Sequence, residues 1–412
     1  MSGHGDPSGG PGPAADRRVG AGPLAGVTVV ELATVITGPY AGMLLADLGA
    51  DVVKVEAPAG DGFRGWDGSG ATSVRPAFAA YNRGKRSIAI DLKTDDGRAV
   101  LHRLAAEADA VVENFRPGVA DRLGIGYEDL RAVNPAVVYC SITGLGSVGP
   151  ERDRPTYDAV AQAMSGLWSQ LADLTDPDPV GPPMSDQLTG MYAALAVLAA
   201  VTGARRTGEG QHLEVSMLAS TLAFQGLAVA TYRSDGVVPR RRTRAETSQS
   251  YGFVASDGLP FAVHLSTPHK FWVGLCATVG APELAQDPRF GTKGDRIRHY
   301  EELKRTLAAR FATGTREHWL AELARHDVPA APILDLAEAV THPQVVASGL
   351  LAPHDDPRHD LAPVRSPVRV GGRALAAALP APALSEHADE LLTELGLDAD
   401  RIAGLRGTGV VV

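Results

Sequence analysis

Val27-Thr-Val-Val-Glu-Leu32, then Gly38-Pro39, then a run through Met43, Leu44, Leu45 and Leu48 closed by Gly49, then Asp51-Val-Val-Lys-Val-Glu56: these four pieces stand in this order near the start of the sequence. The first and last are short β-branched runs, the signature of strands buried on both faces, and the run between them repeats its apolar residues at helical spacing. Strand, helix and strand at this spacing make a βαβ unit, so the two strands lie parallel in one sheet. The alternation continues with a strand over Ser87–Asp91, a helix over Asp95–Ala108 and a strand over Ala110–Phe115. A short helix over Tyr127–Val133 and a strand over Ala136–Ile142 complete it. The reading is an α/β chain with an open, doubly wound parallel sheet, whose ligand sits at the carboxyl ends of the strands. No Gly-x-Gly-x-x-Gly follows the first strand, so the pattern does not extend to a dinucleotide site.

Outward from the sheet lies Arg154-Pro-Thr-Tyr-Asp-Ala-Val-Ala-Gln-Ala-Met-Ser-Gly166. Pro155 stops what precedes it, Thr156 is a good N-cap, and Ala159 to Met164 read as helix. Asp158 therefore falls in a first helical turn, where unpaired backbone N–H groups and the helix dipole favour a negative charge. A carboxylate held this way stays ionised and can serve as a nucleophile toward a thioester or anhydride; alternatively it only caps the helix. Gln187 to Thr202 reads as a long apolar helix broken by Gly203, with Asp186 just before it as its cap or as a catalytic contact. His212 to Ser216 is a further strand.

The 412 residues are 44% hydrophobic and 21% charged, enough for two domains with substantial cores. A formal charge of −9 argues against a general nucleic-acid binder. Cys140 and Cys276 are too few for a disulfide framework or a thiolate metal site, which predicts a reducing, cytoplasmic setting and no metal. Cys140 stands in an apolar strand run and reads as a buried thiol. No apolar run is read as long enough to span a bilayer. Residues 1–22, rich in Gly, Pro and Ala, read as a disordered tail. The expected domains are 23–223, a first part of the large domain; 224–335, a smaller α+β domain; and 336–412, a linker and return. The smaller domain should hold a hairpin around Asp257-Gly258 and helices at 268–279, 299–312 and 316–326. The basic cluster Arg240, Arg241, Arg242 and Arg244 is either a solvated loop or an anion contact.

Several segments together resemble the family III CoA-transferases, the group of formyl-CoA transferase and carnitine CoA-transferase, to which α-methylacyl-CoA racemase also belongs. They are Leu24–Leu32, Gly49–Glu56, Asn82-Arg-Gly-Lys-Arg-Ser-Ile88, Val112-Glu-Asn-Phe-Arg-Pro-Gly118, Asn134-Pro135, Thr143-Gly144, the Asp158 helix, Gly208-Glu-Gly-Gln211 and Asp287-Pro-Arg-Phe290, in order along the chain. The resemblance implies a Rossmann-like large domain built from both chain ends, a small domain, and an interlocked homodimer. It implies transfer of CoA from an acyl-CoA donor to a carboxylic acid acceptor, with coenzyme A as the acyl carrier. In that scheme Asp158 attacks the donor thioester to give a mixed anhydride and CoA thiolate, the thiolate returns to give an aspartyl thioester, and the acceptor carboxylate attacks that.

The same resemblance carries CoA contacts onto Ile90, Asp91 and Lys93, onto Asn114, Phe115 and Arg122, and onto the loop at Thr143 and Gly144, with Ile36 and Thr37 lining the thioester. Lys85, Arg86, Lys93 and Arg122 suit phosphates by charge. Two departures stand out. Ala57 replaces an Arg of the formyl-CoA enzymes, and Glu246-Thr-Ser-Gln-Ser-Tyr251 replaces their Gly-rich loop, so oxalate and formate are not the expected acids. The alternative is a racemase or isomerase of acyl-CoA acting by α-proton transfer, which needs two proton-transfer groups at the α-carbon. That branch has His before the Asp, where this chain has Tyr157, a poor base at neutral pH unless perturbed. Tyr157 and Asp186 are accordingly read as either catalytic or structural.

Overall fold

A computed structural model describes residues 22–66, 74–351, 357–361, 364–375 and 379–412. All but the last residue of the tail read over 1–22 lie outside that set. Six strands form one parallel sheet: β1 (Thr28–Glu31), β2 (Asp51–Glu56), β3 (Lys85–Ala89), β4 (Ala110–Glu113), β5 (Val138–Thr143) and β6 (His212–Ser216). Their order, β3-β2-β1-β4-β5-β6, is that of a doubly wound sheet whose direction reverses between β1 and β4. Val29 and Val30 of β1 are fully buried, as a parallel strand covered on both faces must be. One face carries the cluster of Val30, Val53, Ile88, Leu101 and Val111; the other carries Val29, Leu45, Val52, Val112 and Cys140.

The helices in chain order through Phe224 are α1 (Thr37–Asp47), α2 (Pro76–Asn82), α3 (Asp95–Ala106), α4 (Val119–Arg122), α5 (Tyr127–Val133), α6 (Asp158–Met164), α7 (Leu167–Leu171), α8 (Met184–Thr207) and α9 (Met217–Phe224). α8 does not break at Gly203. It runs on to Thr207 and ends on Gly208 at φ 77°, a left-handed C-cap that suits glycine. Its length and composition would suffice to cross a membrane, contrary to the sequence reading that no run is long enough. Ala193, Val197 and Val201 nevertheless sit in the sheet's hydrophobic cluster, as in a core helix of a globular unit. The chain's end returns to the sheet: Asp91 N donates to Val410 O at 2.8 Å, and Val412 N to Ala89 O at 3.2 Å.

The chain divides into two compact units, one of residues 1–165, 181–225 and 348–412, the other of 166–180 and 226–347. In the second, β7 (Ser250–Val254) and β8 (Pro260–His264) form the antiparallel hairpin expected at Asp257-Gly258, and β9 (Ala330–Pro332) adds to its edge. Phe253, Phe261, Trp272, Leu303 and Phe311 make its core. Two of the four arginines of the basic cluster are paired at the surface, Arg240 with Glu246 at 3.5 Å and Arg242 with Glu301. Burial pushes both cysteine thiols up to about 12, and both are free.

One feature of the sheet unit escapes the hydropathy pattern. Glu31, Lys54, Glu56, Asp61, Arg64 and Lys85 are all buried under the β1–β3 end, three acids against three bases. Lys54 Nζ lies 3.1 Å from Glu31 and 3.0 Å from Asp61, and Lys85 Nζ lies 2.7 Å from Glu31. Arg64 grips Glu56 with two bonds of 2.7 Å. α1 packs directly over this network. A Cβ at Gly42 would sit 1.9 Å from a Glu31 carboxylate oxygen, so only glycine admits that approach.

Candidate active site

The sheet reverses direction between β1 and β4, and the loops leaving these two strands are tied together there. Thr34 N donates to Asn114 Oδ1 at 2.9 Å, and Asn114 Nδ2 donates back to Thr34 O at 2.8 Å. Phe115 N donates to Glu113 Oε2 at 2.7 Å, and burial pushes the Glu113 carboxyl up to about 7. A cleft of about 340 Å³ opens between these loops and the one leaving β5. Thr37, Asn114, Phe115, Thr143 and Gly144 line it, together with Asp186 and Tyr157. This is where a doubly wound sheet holds its ligand. Ile36 is the N-cap residue of α1, one position before Thr37.

Asp158 is the first residue of α6, and Tyr157, 71% exposed, stands at the N-cap. Thr156 does not cap; its hydroxyl donates to Arg154 O at 3.1 Å. Two groups from α8 and one from α6 hold the Asp158 carboxylate. Oδ1 accepts from the backbone N–H of Ser185 at 2.8 Å and of Asp186 at 3.2 Å, both in the first turn of α8. Oδ2 accepts from Gln162 Nε2 at 2.5 Å. The 24-residue α8 thus presents its amino end to the carboxylate, and unpaired N–H groups there favour the anion. The expectation that the first backbone N–H groups of α6 supply these donors is corrected: the N-cap position, whose side chain reaches such groups, is held by Tyr157, and Asp158 one place on is met by N–H groups of α8 and by the Gln162 side chain.

Asp186 is not the cap of α8 either. It lies inside the first turn, 8% exposed, and accepts from Thr37 Oγ1 at 2.5 Å. Burial pushes its carboxyl up to about 6, the Thr37 hydrogen bond pulls it down, and the neighbouring Asp158 charge pushes it up. Above pH 6 the folded chain holds an anion there at a cost that the unfolded chain, with an ordinary value of 3.8, does not bear. Stability linked to Asp186 is therefore full below about pH 4 and lost as pH rises to about 6. Asp186→Asn should match the wild type near pH 4 and exceed it above pH 6, by on the order of 2–3 kcal/mol. Thermal unfolding of both proteins from pH 4 to 8 checks this; a gap that is constant with pH rejects it.

The remaining candidates fall in other places. Ile90 and Asp91 lie just past the end of β3, two strands from the β1–β4 reversal, with Ile90 buried in the core and bridged to Val411. Lys93 and Arg122 are exposed, after β3 and on α4. Lys85 is buried against Glu31, so its expected role as a phosphate partner is corrected; Arg86 is engaged by Asp51 and Glu394. His264 bonds Ser250 across the β7–β8 hairpin at 2.9 Å. Among the described residues no cluster suited to a metal occurs. Sequence reasoning missed Gln162 and the amino end of α8 as the cradle of Asp158. The i,i+4 spacing of Asp158 and Gln162 was the available signal.

The profile of CoA-transferase family III matches residues 24–388. The acetyl-CoA:oxalate CoA-transferase of Acetobacter aceti is 37% identical over 339 residues, 80% of this chain and 85% of that one. The succinate–glutarate CoA-transferase of Agrobacterium fabrum is 36% identical over 385 residues, 90% and 96% of the two chains. A crystal structure of a CAIB/BAIF family protein from Brucella suis, 36% identical, superposes with a TM-score of 0.78 over 91% of this chain and 99% of that one.

Proposed function

The chain belongs to CoA-transferase family III and is an enzyme that moves CoA between an acyl-CoA and a carboxylic acid, and on that premise we propose that Asp158 carries the acyl group between them. The observation that carries the reading is the Asp158 carboxylate seated on the amino end of α8 by the Ser185 and Asp186 N–H groups. An oxygen of Asp158 attacks the donor thioester carbonyl, the C–S bond breaks, and CoA leaves as thiolate from a mixed anhydride. The thiolate attacks the Asp158 carbonyl, expels the donor acid as carboxylate, and leaves an aspartyl thioester. The acceptor carboxylate attacks that thioester and releases the thiolate, which then takes the acceptor acyl group and restores the Asp158 anion. The N–H groups that hold the anion also suit the oxyanion that forms on Asp158 itself when the thiolate, and then the acceptor carboxylate, attacks the Asp158 carbonyl. Incubation with acyl-CoA followed by hydroxylamine or borohydride should mark the peptide containing Asp158 in its mass spectrum; an unmarked peptide with the label elsewhere rejects the assignment.

The acceptor class is a dicarboxylic acid in this reading. Relatives named for oxalate and glutarate support it, and Arg116, Arg152 and Arg154 line the cleft as cations for a second carboxylate. Similarity to an oxalate enzyme at 37% identity also withdraws the sequence-based exclusion of oxalate drawn from Ala57 and residues 246–251. Acyl-CoA donors screened against dicarboxylate and aromatic acceptors, with products read by mass, test this; a preference for aromatic acids rejects it.

An interlocked homodimer is proposed as well. Support comes from apolar side chains left open on the chain, among them Leu227 at 84% and Leu336 at 80% exposure. The connections that would pass through the partner are 204–226, which is the end of α8 with β6 and α9, and 328–350, which is β9 followed by helices over Leu336–Thr341 and Pro343–Ser348 rather than an extended path. Pro343 opens a helix, a position that tolerates a missing N–H. Linked subunits cannot part without unfolding, so tagged and untagged dimers mixed under native conditions should exchange no faster than they unfold. Heterodimer within minutes excludes the linked arrangement.

A further inference from the structure

Val35 lies between β1 and α1 with φ at 69°. A β-branched side chain is a true outlier there, because its Cβ substituents crowd the backbone, and such strain persists only where the surroundings enforce it. The enforcing groups belong to the buried ion network. On one side of Val35, Lys54 Nζ donates to Ala33 O at 2.8 Å. On Val35 itself, both oxygens of Asp61 accept the backbone N–H at 3.2 Å. Past it, Lys85 Nζ donates to Pro39 O at 2.8 Å. Lys54 and Asp61 are paired at 3.0 Å with no exposure of either side chain. Burial alone would raise the Asp61 carboxyl, but Lys54 and the Phe63 and Val35 N–H groups hold it below the ordinary range.

The strained turn has a functional address. Val35 and Thr37 line the cleft, and Thr37 Oγ1 holds Asp186, whose N–H reaches Asp158. We propose that Lys54 and Asp61 are positioning residues for CoA transfer: by gripping Ala33 O and Val35 N–H they hold the loop after β1 in the turn that sets Thr37 against Asp186. Neither Lys54 nor Asp61 lines the cleft or bonds Asp158, so they act through this loop. The inference rests on the cleft being the site of CoA transfer.

The test uses full-length protein with Asp61→Ala, and with the charge-balanced pair Lys54→Met and Asp61→Ala, so that a folded background exists even if a stranded Lys54 unfolds the first. Glycine takes the left-handed region without strain, so Val35→Gly needs no clamp. The expected results are a fall in kcat of about tenfold or more when the clamp is broken in the Val35 background, and a fall under about threefold when it is broken in the Val35→Gly background. A network that only stabilised the sheet would lower the melting temperature without rescue by glycine. Full kcat in the folded clamp variant, or an equal loss in the Val35 and Val35→Gly backgrounds, overturns the proposal. Trapping the acyl group on the wild type is read separately: its failure moves the nucleophile but leaves these rate comparisons standing.

Discussion

Asp158→Asn abolishes CoA transfer, with a loss on the order of a thousandfold or more, while the protein stays folded and still binds CoA. The amide keeps an oxygen to accept from Ser185 and Asp186 N–H, so the α6–α8 junction has its hydrogen bonds. It has no anion to attack a thioester carbonyl. Removing one negative charge from a helix amino end costs about 0.3–2 kcal/mol, far too little to unfold a unit of this size. Asp158→Ala should be equally inactive, with the Ser185 and Asp186 N–H groups then left to water. Steady-state transfer assayed with CoA binding and melting temperature on the same preparations decides the matter. Turnover within tenfold of wild type in either variant places the nucleophile elsewhere.

Arg64→Ala destabilises the sheet unit by about 3–5 kcal/mol, the cost of leaving a buried charge without its partner. Arg64 is fully buried, grips Glu56 bidentately, donates to Pro382 O at 3.0 Å and lies 3.7 Å over the Phe78 ring. The Pro382 bond joins the returning end of the chain to the sheet. Deletion leaves Glu56 with Ser87 Oγ, the Asp61 N–H and the more distant Lys54, in a site that water does not reach. Burial pushes Glu56 up, but Arg64 and Lys54 outweigh it, and the carboxyl is held below its ordinary 4.5. Stability from this pair is therefore present above pH 4.5 and lost as pH falls through the lower folded value. The difference between wild type and Arg64→Ala in urea unfolding should be full at pH 7 and shrink toward pH 3. A loss under about 1 kcal/mol at pH 7 shows that the pair contributes little.

The parallel sheet was legible from local pattern because β-branched runs such as Val27–Leu32 and Asp51–Glu56, with a helix between, admit few arrangements. Helix bounds were less so. Gly203 costs too little to end a 24-residue helix with one face in the sheet's core, and Thr156 lost its expected cap to a bond with Arg154. Asp158 as the candidate nucleophile came from its place at a helix start and from family resemblance, and both are properties of a short stretch. The source of its N–H donors is not such a property, since Ser185 and Asp186 lie 27 and 28 residues away in the chain.

The buried charges were hidden for the same reason. Lys54 and Glu56 passed as members of a strand run, and Lys85 read as a cation for phosphate, because a single charged residue carries no mark of its partner. Pairing of Glu31, Lys54 and Lys85 requires β1, β2 and β3 to lie side by side in one register, with Glu31 opposite Lys54. Local sequence determined which segments are strands and which residue types could do the chemistry. Only the tertiary structure decided which charges meet, because Coulomb and hydrogen-bond energies act over a few ångströms of space and are indifferent to separation along the chain.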